Sequence, residues 1–445
     1  MEKEEEKKKK RKEPRERIAC HTSTFRSKKA NWQEVYATVE DIKAFLDGRV
    51  MLRYNVVTRR TECHLLAEFT DEMTPEVLWE PISDRVVNTL WRELSAQKPT
   101  RIQDMQRVIE SDYVPEYDPF RFYLSRLPPW NEDGPDYIME LSLSVNVKGD
   151  SDEQILFYEY LKKWLVAMVA GWVDDTVVNN VMLVLIGEQG SYKTTWFNYL
   201  LPPELKTYFY TKTNANRMTK DDLLTLTQYG LICCEELDTM RPSELNQLKA
   251  AMTMPAVDER AAYARYHEHR KHIASFCGTG NNVQFLSDST GNRRWLPFEI
   301  ESIESPRSSP FNYEGIYSQA YALYRQGFQY WFSPDEIRRL ARHNEQFESP
   351  CTERELVFWF FRKPHEGEQG EFMPVGLAMQ IVSGQISAKI SKEQIGHAFI
   401  SLGFERKTYR NVRGYIVVRR STAEIESLRN GLANSNTHTP DTPVF

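Results

Sequence analysis

The sequence lacks several features that would assign the protein to a membrane, secreted or strongly basic class. Its six cysteines form no CxxC pair, a pattern typical of a reducing compartment. No uncharged apolar run is as long as a membrane span, and the amino terminus has no signal-peptide core. The 57 Lys and Arg residues do not outnumber the 63 Asp and Glu residues. We therefore expect a cytoplasmic protein that does not contact membranes, and in which any basic surface is local.

The chain is long enough for two or three domains, and changes in composition predict their bounds. Residues 1–17 contain nine basic and six acidic side chains and nothing apolar after Met1, which predicts a disordered charged lead. We expect the rest to comprise a mostly helical α+β region of unassigned role at 18–150, an α/β domain with a parallel sheet at 151–345, a small helix and hairpin domain at 350–420, and a tail at 421–445. Two β-rich runs around a polar turn predict a hairpin between residues 51 and 66. Helical spacing at 153–171 predicts a helix whose second half is apolar on all sides and buried.

A phosphate-binding loop is predicted at residues 187–195, GEQGSYKTT. It follows a continuous aliphatic strand at 181–187 and opens a helical pattern, which is the context of a Walker A motif. Tyr192 stands at the position of the usual last glycine, so we expect it to adopt a backbone conformation that glycine takes more cheaply, unless this position is not left-handed in this subtype of the loop. We assign nucleotide binding to Gly187, Gly190, Ser191, Tyr192, Lys193, Thr194 and Thr195, with Lys193 on the β- and γ-phosphates of ATP and Thr194 on Mg²⁺.

Carboxylates follow a second aliphatic strand, YGLICCEELD at 229–238. In a Walker B motif one carboxylate holds Mg²⁺ and the next orients the attacking water. Because neighbouring side chains on a regular strand point to opposite faces, only one of Glu235 and Glu236 can face the phosphates directly. Both are candidates for catalysis and for Mg²⁺ binding; we favour Glu236 and keep Asp238 in reserve.

A third strand, at 272–280, runs into Asn281. If this strand lies between the other two, Asn281 can reach the γ-phosphate as a sensor, and a plain Gly-Asn turn is the alternative. Further on, Arg293 and Arg294 lie in a Gly-Asn turn. An arginine there could neutralise charge in the transition state, and a surface salt bridge is the alternative.

The motifs GEQGSYKTT, ICCEELD, GTGNN and GNRRW resemble, in type and order, those of the virulence-associated protein E family. This family consists of ATPases carried by phages and mobile elements, and the resemblance covers about residues 180–300. The family looks like the superfamily-three helicases, which are hexameric AAA+ rings. The resemblance implies a P-loop AAA+ domain that uses ATP and Mg²⁺ and forms a homo-oligomeric ring, for which the hexameric helicases suggest six subunits. It also implies the sensor place for Asn281 and the arginine-finger place for Arg293 or Arg294; it does not imply primase activity.

In such helicases the segment between the Walker B strand and the sensor strand forms a hairpin that points into the ring. Here this segment is rich in cations, and His267 and His272 lie among them. A solvated cationic face is the alternative, and a metal site formed by the histidines matches no common zinc spacing. The candidate contacts to single-stranded DNA are Arg265, His269, Arg270 and Lys271.

Three helical patterns, at 354–363, 373–382 and 391–404, precede two short β runs around the turn at 411–414. This is the order of a winged helix, and Ser391 is a plausible amino cap of the third helix. The hairpin is locally basic, so we expect a wing that contacts duplex DNA, with protein docking as the alternative. The candidate contacts are Arg406, Lys407, Arg410 and Arg413.

These patterns predict an ATP-hydrolysing DNA translocase or helicase that acts in the replication of a mobile genetic element or phage. The alternative is a nucleotide-gated switch or host-interaction ATPase that remodels protein partners without unwinding DNA. DNA-stimulated hydrolysis separates the two functions.

Overall fold

The structure is a computed structural model that describes residues 36–66, 78–212, 220–259, 268–286, 292–349, 352–365, 367–384 and 390–435. The predicted charged lead at 1–17 lies outside these residues. The chain divides into two units, Met1–Tyr117 and Asp118–Phe445, so the first unit ends earlier than the predicted boundary at residue 150. The reason is packing: the Gln319 side chain accepts from the amide of Ile138 and donates to Asp136, which ties this segment to the second unit.

The described residues of the first unit form a small sheet and three helices. The sheet has the order β3-β2-β1-β4, with β1 antiparallel to β2, so the hairpin predicted between residues 51 and 66 is confirmed. The Thr38 side chain caps the first helix in a capping box with Asp41. The described elements are α1 (Val39–Asp47), β1 (Val50–Asn55), β2 (Arg60–Leu65), β3 (Glu80–Pro81), α2 (Asp84–Gln97), α3 (Ile102–Ile109) and β4 (Glu116–Tyr117).

The second unit begins with α4 (Pro119–Ser125), α5 (Tyr137–Leu143), β5 (Val145–Val147) and the long helix α6 (Ser151–Val173). Thirteen of the 23 residues of α6 are buried, which confirms the prediction that its second half is apolar on all sides and lies in the core. The Asp150 carboxylate accepts from the amides of Asp152 and Glu153 and so caps the amino end of this helix.

A six-stranded sheet forms the core of the second unit, in the order β5-β12-β6-β11-β8-β7. The strands from β12 to β7 in this order run parallel, and β5 is antiparallel to β12. This confirms an α/β domain with a parallel sheet. The strands that follow β5 are β6 (Met182–Ile186), β7 (Phe209–Lys212), β8 (Leu231–Cys234), β9 (Ala256–Glu259), β10 (Glu268–Lys271), β11 (Ser275–Gly280) and β12 (Trp295–Ile303).

Helices flank the sheet, and β9 pairs with β10 as a separate antiparallel hairpin. All residues of β6 and β11 are buried, which explains why these strands read as continuous apolar or small-residue runs. The helices in this part of the chain are α7 (Lys193–Leu200), α8 (Lys220–Thr225), α9 (Pro242–Met252), α10 (Tyr313–Arg325) and α11 (Pro334–Asn344).

The C-terminal part has its own apolar core, built around Val357, Phe399 and Val417. The three predicted helices and the hairpin occur in the predicted order, and Ser391 caps the third helix as expected. The sequence analysis missed β14, which pairs with β16, and a helix at 422–435 occupies part of the expected tail. The elements are α12 (Thr352–Phe360), β13 (Phe361–Arg362), β14 (Glu371–Pro374), α13 (Val375–Ser383), α14 (Lys392–Ser401), β15 (Arg406–Tyr409), β16 (Val412–Arg419) and α15 (Thr422–Ser435).

Candidate nucleotide site and DNA-contacting surfaces

The loop from Gly187 to Tyr192 joins β6 to α7 at the carboxyl edge of the parallel sheet. Gly187 lies close to a neighbouring strand, because a Cβ added there would stand 2.7 Å from Cγ1 of Ile300. Its amide donates to the carbonyl oxygen of Gly280 at 3.2 Å, which links the loop to the end of β11. Gly190 has a φ of 85°, a conformation that favours glycine. These contacts explain the need for glycine at both positions.

Tyr192 adopts a left-handed conformation, with φ 63° and ψ 11°, directly before the first residue of α7. The glycine-like backbone conformation expected of Tyr192 is therefore confirmed, and for a tyrosine it carries a steric penalty of about 1–2 kcal/mol. The side chain is 47% exposed, so the ring adds little packing to offset this penalty. The loop thus has at Tyr192 the left-handed backbone that a glycine would adopt at lower cost.

Lys193 is only 7% exposed, and its ammonium lies inside the loop. It donates to the carbonyl oxygens of Gly187 at 2.8 Å and Glu188 at 2.6 Å, and to Oγ of Ser191 at 3.1 Å. Burial lowers the pKa of Lys193, and the nearby Asp238 carboxylate acts in the opposite direction. The three hydrogen bonds therefore hold the Lys193 ammonium within the loop.

Asn281 meets this lysine from the neighbouring strand. Its Oδ1 atom lies 3.5 Å from Nζ of Lys193, directly after the carboxyl end of β11. Because β11 lies between β6 and β8, the strand order that the sensor interpretation requires is present. The amides of Asn281 and Asn282 both donate to the Asp238 carboxylate, each at 3.2 Å. Asp238 thus fixes the backbone that carries the asparagine side chain.

The carboxylates after β8 differ from the expectation of a regular strand. The strand ends at Cys234, and Glu236 has a φ of 54° at the start of a short 3-10 turn. The alternation argument that chose Glu236 over Glu235 is therefore wrong in its premise, because neither residue lies on the strand. Glu236 is exposed, whereas Glu235 lines a small cavity with Lys212 and other side chains. Asp238, held in reserve by the sequence analysis, contacts the sensor segment directly.

Arg293 and Arg294, here called the arginine turn, lie at the amino ends of the parallel strands, opposite to the end that carries the loop at 187–192. Arg293 and Arg294 immediately precede Trp295, which pairs with Met182 at the start of β6. The phosphate-binding loop follows the other end of β6, roughly 13 Å away at the usual rise per strand residue. Burial and the neighbouring Arg293 lower the pKa of Arg294. Within one chain, the two arginines are therefore remote from Lys193.

Buried asparagines hold this turn in place. Nδ2 of Asn344, at the end of α11, donates to the carbonyl oxygens of Asn292 at 2.8 Å and Trp295 at 3.1 Å. Nδ2 of Asn292 donates to the Glu348 carboxylate at 2.8 Å. Sequence analysis did not single out these residues, because an asparagine at a helix end gives no sign of its partner.

The β9–β10 hairpin occurs where the sequence predicted it, but only part of its cationic set is accessible. Arg265 and His267 lie outside the described residues. His269 is exposed, and its Nδ1 lies 2.7 Å from the Asp258 carboxylate. Arg270, also a predicted DNA contact, is only 6% exposed, because β-strand alternation turns it inward, so it does not present its side chain to DNA in this conformation.

Lys271 is also not free to contact DNA. Its ammonium donates to the carbonyl oxygen of Asp174 at 2.5 Å and lies 3.3 Å from the Asp175 carboxylate. Burial lowers its pKa. His272 is fully buried, with its Nδ1 2.7 Å from the carbonyl oxygen of Met254, and burial lowers its pKa, so it is neutral at pH 7. Through its contacts with Asp174 and Asp175, Lys271 thus anchors the base of the hairpin.

The wing hairpin, formed by β15 and β16, presents its predicted basic residues to solvent. Arg406, Lys407, Arg410 and Arg413 are exposed, and Lys407 pairs with Glu405 at 3.3 Å. The turn is not at 411–414, as predicted, but at Arg410 and Asn411, both with positive φ. Gly414 lies within β16 instead. A glycine is needed there because a Cβ would meet the carbonyl oxygen of Met373 on β14.

Among the described residues, no three His, Cys, Asp or Glu side chains come together as a metal site. A Mg²⁺ site completed by phosphate oxygens needs only one or two carboxylates, so this finding is compatible with the predicted donors. Likewise, the described helices include none with the length and apolar character that crossing a bilayer demands.

Residues 138–349, a little under half of the chain, match the family model of the virulence-associated protein E-like domain. A search of curated proteins gives no match. Among solved structures, the chain is similar to the apo structure of the NrS-1 C terminal region, with 13% identity, a TM-score of 0.46, and coverage of 85% of this chain and 98% of that chain. The A form apo structure of the same region gives 14% identity, a TM-score of 0.45 and the same coverage. The domain match includes the whole segment at 180–300 whose motifs resemble this family, and it supports a virulence-associated protein E-like domain there.

Proposed function

We propose that the protein is an ATP-hydrolysing DNA translocase or helicase that acts in the replication of a phage or another mobile genetic element. The observation that carries this proposal is the meeting of Lys193 with Asn281 at the end of two adjacent parallel strands. A buried ammonium and a strand-end amide at one point are what recognition of a terminal phosphate requires. The match to a virulence-associated protein E-like domain supports the biological setting.

Nucleotide binding falls to the loop and the first turn of α7. The left-handed residues Gly190 and Tyr192 shape the loop, and α7 presents its free amides to an anion at its amino end. Lys193 would exchange its contacts with the loop carbonyls for the β- and γ-phosphate oxygens of ATP. Ser191 and Thr195 complete the loop that surrounds the phosphates.

The residues present fit Mg²⁺, since Thr194, Glu235 and Glu236 offer oxygen donors close to the loop or at the end of the neighbouring β8. When bound, Mg²⁺ neutralises charge on the β- and γ-phosphate oxygens. In our proposal Glu236 takes the proton of the attacking water. Asn281 contacts the γ-phosphate, and Asp238 is a positioning residue, because it holds the Asn281 backbone.

Completion of the site requires a neighbouring subunit in this proposal. Arg293 and Arg294 lie at the sheet edge opposite to Lys193, so neither can reach the nucleotide of its own chain. An arginine finger acting in trans would supply the missing positive charge. Rotational symmetry makes a closed ring the natural assembly, and the resemblance to hexameric helicases points to six subunits.

DNA contacts are proposed at two places. The hairpin of β9 and β10, with exposed His269, would contact single-stranded DNA inside the ring. The wing, with Arg406, Lys407, Arg410 and Arg413, would contact the duplex through its phosphates.

The test is the rate of ATP hydrolysis with and without single-stranded DNA. We expect DNA to raise the rate, and we expect Lys193→Ala to abolish hydrolysis in both conditions. Lys148→Ala, which removes an exposed lysine paired with Glu299, is the matched control and should hydrolyse normally. Hydrolysis that is lost in Lys193→Ala but unaffected by DNA would favour the nucleotide-gated switch that remodels protein partners. Normal hydrolysis by Lys193→Ala would overturn the nucleotide site.

A further inference from the structure

The tip of the wing is a two-residue turn with unusual occupants. Tyr409 pairs with Val412, and the residues between them, Arg410 and Asn411, have φ of 46° and 63°. A turn of this type favours glycine at its second position and small polar residues at its first. Arginine has no advantage there for the turn itself. A residue held in a disfavoured conformation at an exposed tip points to a role outside folding.

One face of the wing is aromatic and exposed, and the guanidinium of Arg410 lies over the Tyr409 ring there, 5.4 Å from its centre, a place that a base pair would take over. Tyr409 and Val412, which point to the same face, are 59% and 47% exposed. The ring of Phe372 lies behind them, 6.0 Å from the Tyr409 ring, in the space left free by Gly414. The opposite face belongs to the core, where Tyr415 stacks on Phe399 at 4.7 Å. The exposed aromatic surface is therefore not part of the core of this domain.

The other face of the hairpin is cationic beyond the edge of the core. Arg406 pairs with Tyr415 and Arg413 pairs with Thr408, so both arginines share the face of Tyr415 while remaining exposed. In the described part of the chain, no carboxylate forms an ion pair with Arg406, Arg410 or Arg413. The hairpin is thus a thin ribbon with an aromatic ring on one face and unneutralised guanidinium groups on the other.

Such a ribbon fits a place between two DNA strands. The bases inside a duplex already stack on each other, so the flat surface that DNA offers to an exposed ring is a terminal base pair. Guanidinium groups on the opposite face suit the phosphates of a strand that has left the duplex. In contrast, the exposed residues of α14 include Lys392 and Glu393, so its charges largely balance.

We propose that the wing is a strand-separating wedge, with Tyr409 stacked on the terminal base pair and Arg406 and Arg413 on the phosphates of the displaced strand. The proposal rests on the proposed action on DNA and goes beyond it by assigning the substrate class, the junction of duplex and single strands. It moves the contacts of Arg406 and Arg413 from the phosphates of an intact duplex to those of the strand that leaves it. Arg410 at the tip enters first and contacts both strands near the junction.

The experiment compares two DNA probes with the full-length chain. One is a forked duplex with 2-aminopurine in the terminal pair, and the other is a closed dumbbell of the same duplex sequence. We expect tighter binding to the fork and a change in 2-aminopurine fluorescence. Tyr409→Ala should weaken fork binding about tenfold, in line with the loss of one stacked base, and leave dumbbell binding unchanged.

The controls separate stacking from folding and from charge. Tyr409→Phe should retain the preference for the fork, and Trp331→Ala, which removes another exposed aromatic ring of this unit, should not change it. Replacing Arg406 and Arg413 with Ala should flatten the salt dependence of fork binding by about two phosphate contacts. A thermal melt of each variant shows whether the fold is intact.

Two outcomes would overturn the wedge: equal affinity of the wild-type chain for fork and dumbbell, or a fork preference in Tyr409→Ala that is as large as in the wild-type chain. If neither probe responds to any wing substitution, the wing is a protein-docking surface. These results are distinct from failure of the proposed function, which shows as hydrolysis that DNA does not stimulate. The fork preference can be lost in Tyr409→Ala while DNA still stimulates hydrolysis.

Discussion

Tyr192 carries a steric penalty at the turn before α7, and this allows a test of the loop. Tyr192→Gly removes about 1–2 kcal/mol of left-handed strain. The greater freedom of glycine in the unfolded chain offsets roughly 0.5–1 kcal/mol of this gain. We expect a small rise in the free energy of unfolding and no loss of hydrolysis, measured by denaturant titration and ATPase assay. Tyr192→Val should lower stability, because a β-branched residue fits this conformation poorly; a gain in that variant would contradict the argument.

The three carboxylates after β8 can be distinguished by their substitutions. Glu236→Gln should keep ATP binding and stall hydrolysis, because the amide preserves the shape and loses the base. Asp238→Asn should reduce hydrolysis for a different reason, since it weakens the two hydrogen bonds from backbone amides that position Asn281. Nucleotide affinity and single-turnover hydrolysis, measured together, check this. If Glu235→Gln is instead the stalled variant, the base has been assigned to the wrong glutamate.

At the scale of elements, α11 positions the arginine turn through Asn344, which is fully buried. Asn344→Leu would leave the carbonyl groups of Asn292 and Trp295 without this donor, at a cost of about 1–3 kcal/mol for each buried group. We expect a lower melting temperature, measured by calorimetry, together with weaker hydrolysis in the assembled protein. Asn146→Ala, which removes an exposed amide bonded to Glu301, is the control. An unchanged melting temperature in Asn344→Leu would show that water or another group satisfies these carbonyls.

The sequence predicted the elements whose pattern is strong within a short window. The aliphatic run of β6, the apolar helix α6 and the amino cap at Ser391 are all present, because burial on both faces and capping each leave a local signature. The left-handed Tyr192 was also predictable, since the loop requires that backbone shape whatever residue occupies it.

The errors arise where tertiary contacts decide. The strand before Glu235 stops early because the chain turns at Glu236, and no local pattern marks that turn. The sequence around Arg270 and Lys271 indicates a basic surface. It does not show that Lys271 contacts Asp174 and Asp175, which lie in a loop far away in the sequence. The four-residue β14 is too short to give a periodic signal.

At the scale of the whole molecule, the proposed function depends on where the charged residues lie in the sheet. One edge of the sheet carries Lys193 and Asn281, and the other carries Arg293 and Arg294. Stacking subunits around a rotation axis would bring the second edge of one subunit to the first edge of the next. Such a heterologous contact closes into a ring if the rotation per subunit divides a full turn.

Mixing two inactive variants tests whether the active site is shared in this way. Lys193→Ala removes the phosphate contact of its own loop and keeps the arginine turn, whereas Arg294→Ala keeps the loop and lacks the finger. Some interfaces in a mixture pair an intact loop with an intact finger, so we expect hydrolysis that neither variant shows alone. The matched control mixes Lys193→Ala with a double variant that carries both substitutions; it contains no complete interface and should stay inactive. If every mixture is inactive and mass measurement in the presence of ATP and DNA finds only monomer, the finger does not act in trans, and the two arginines at the far edge of the sheet belong to a surface with another purpose.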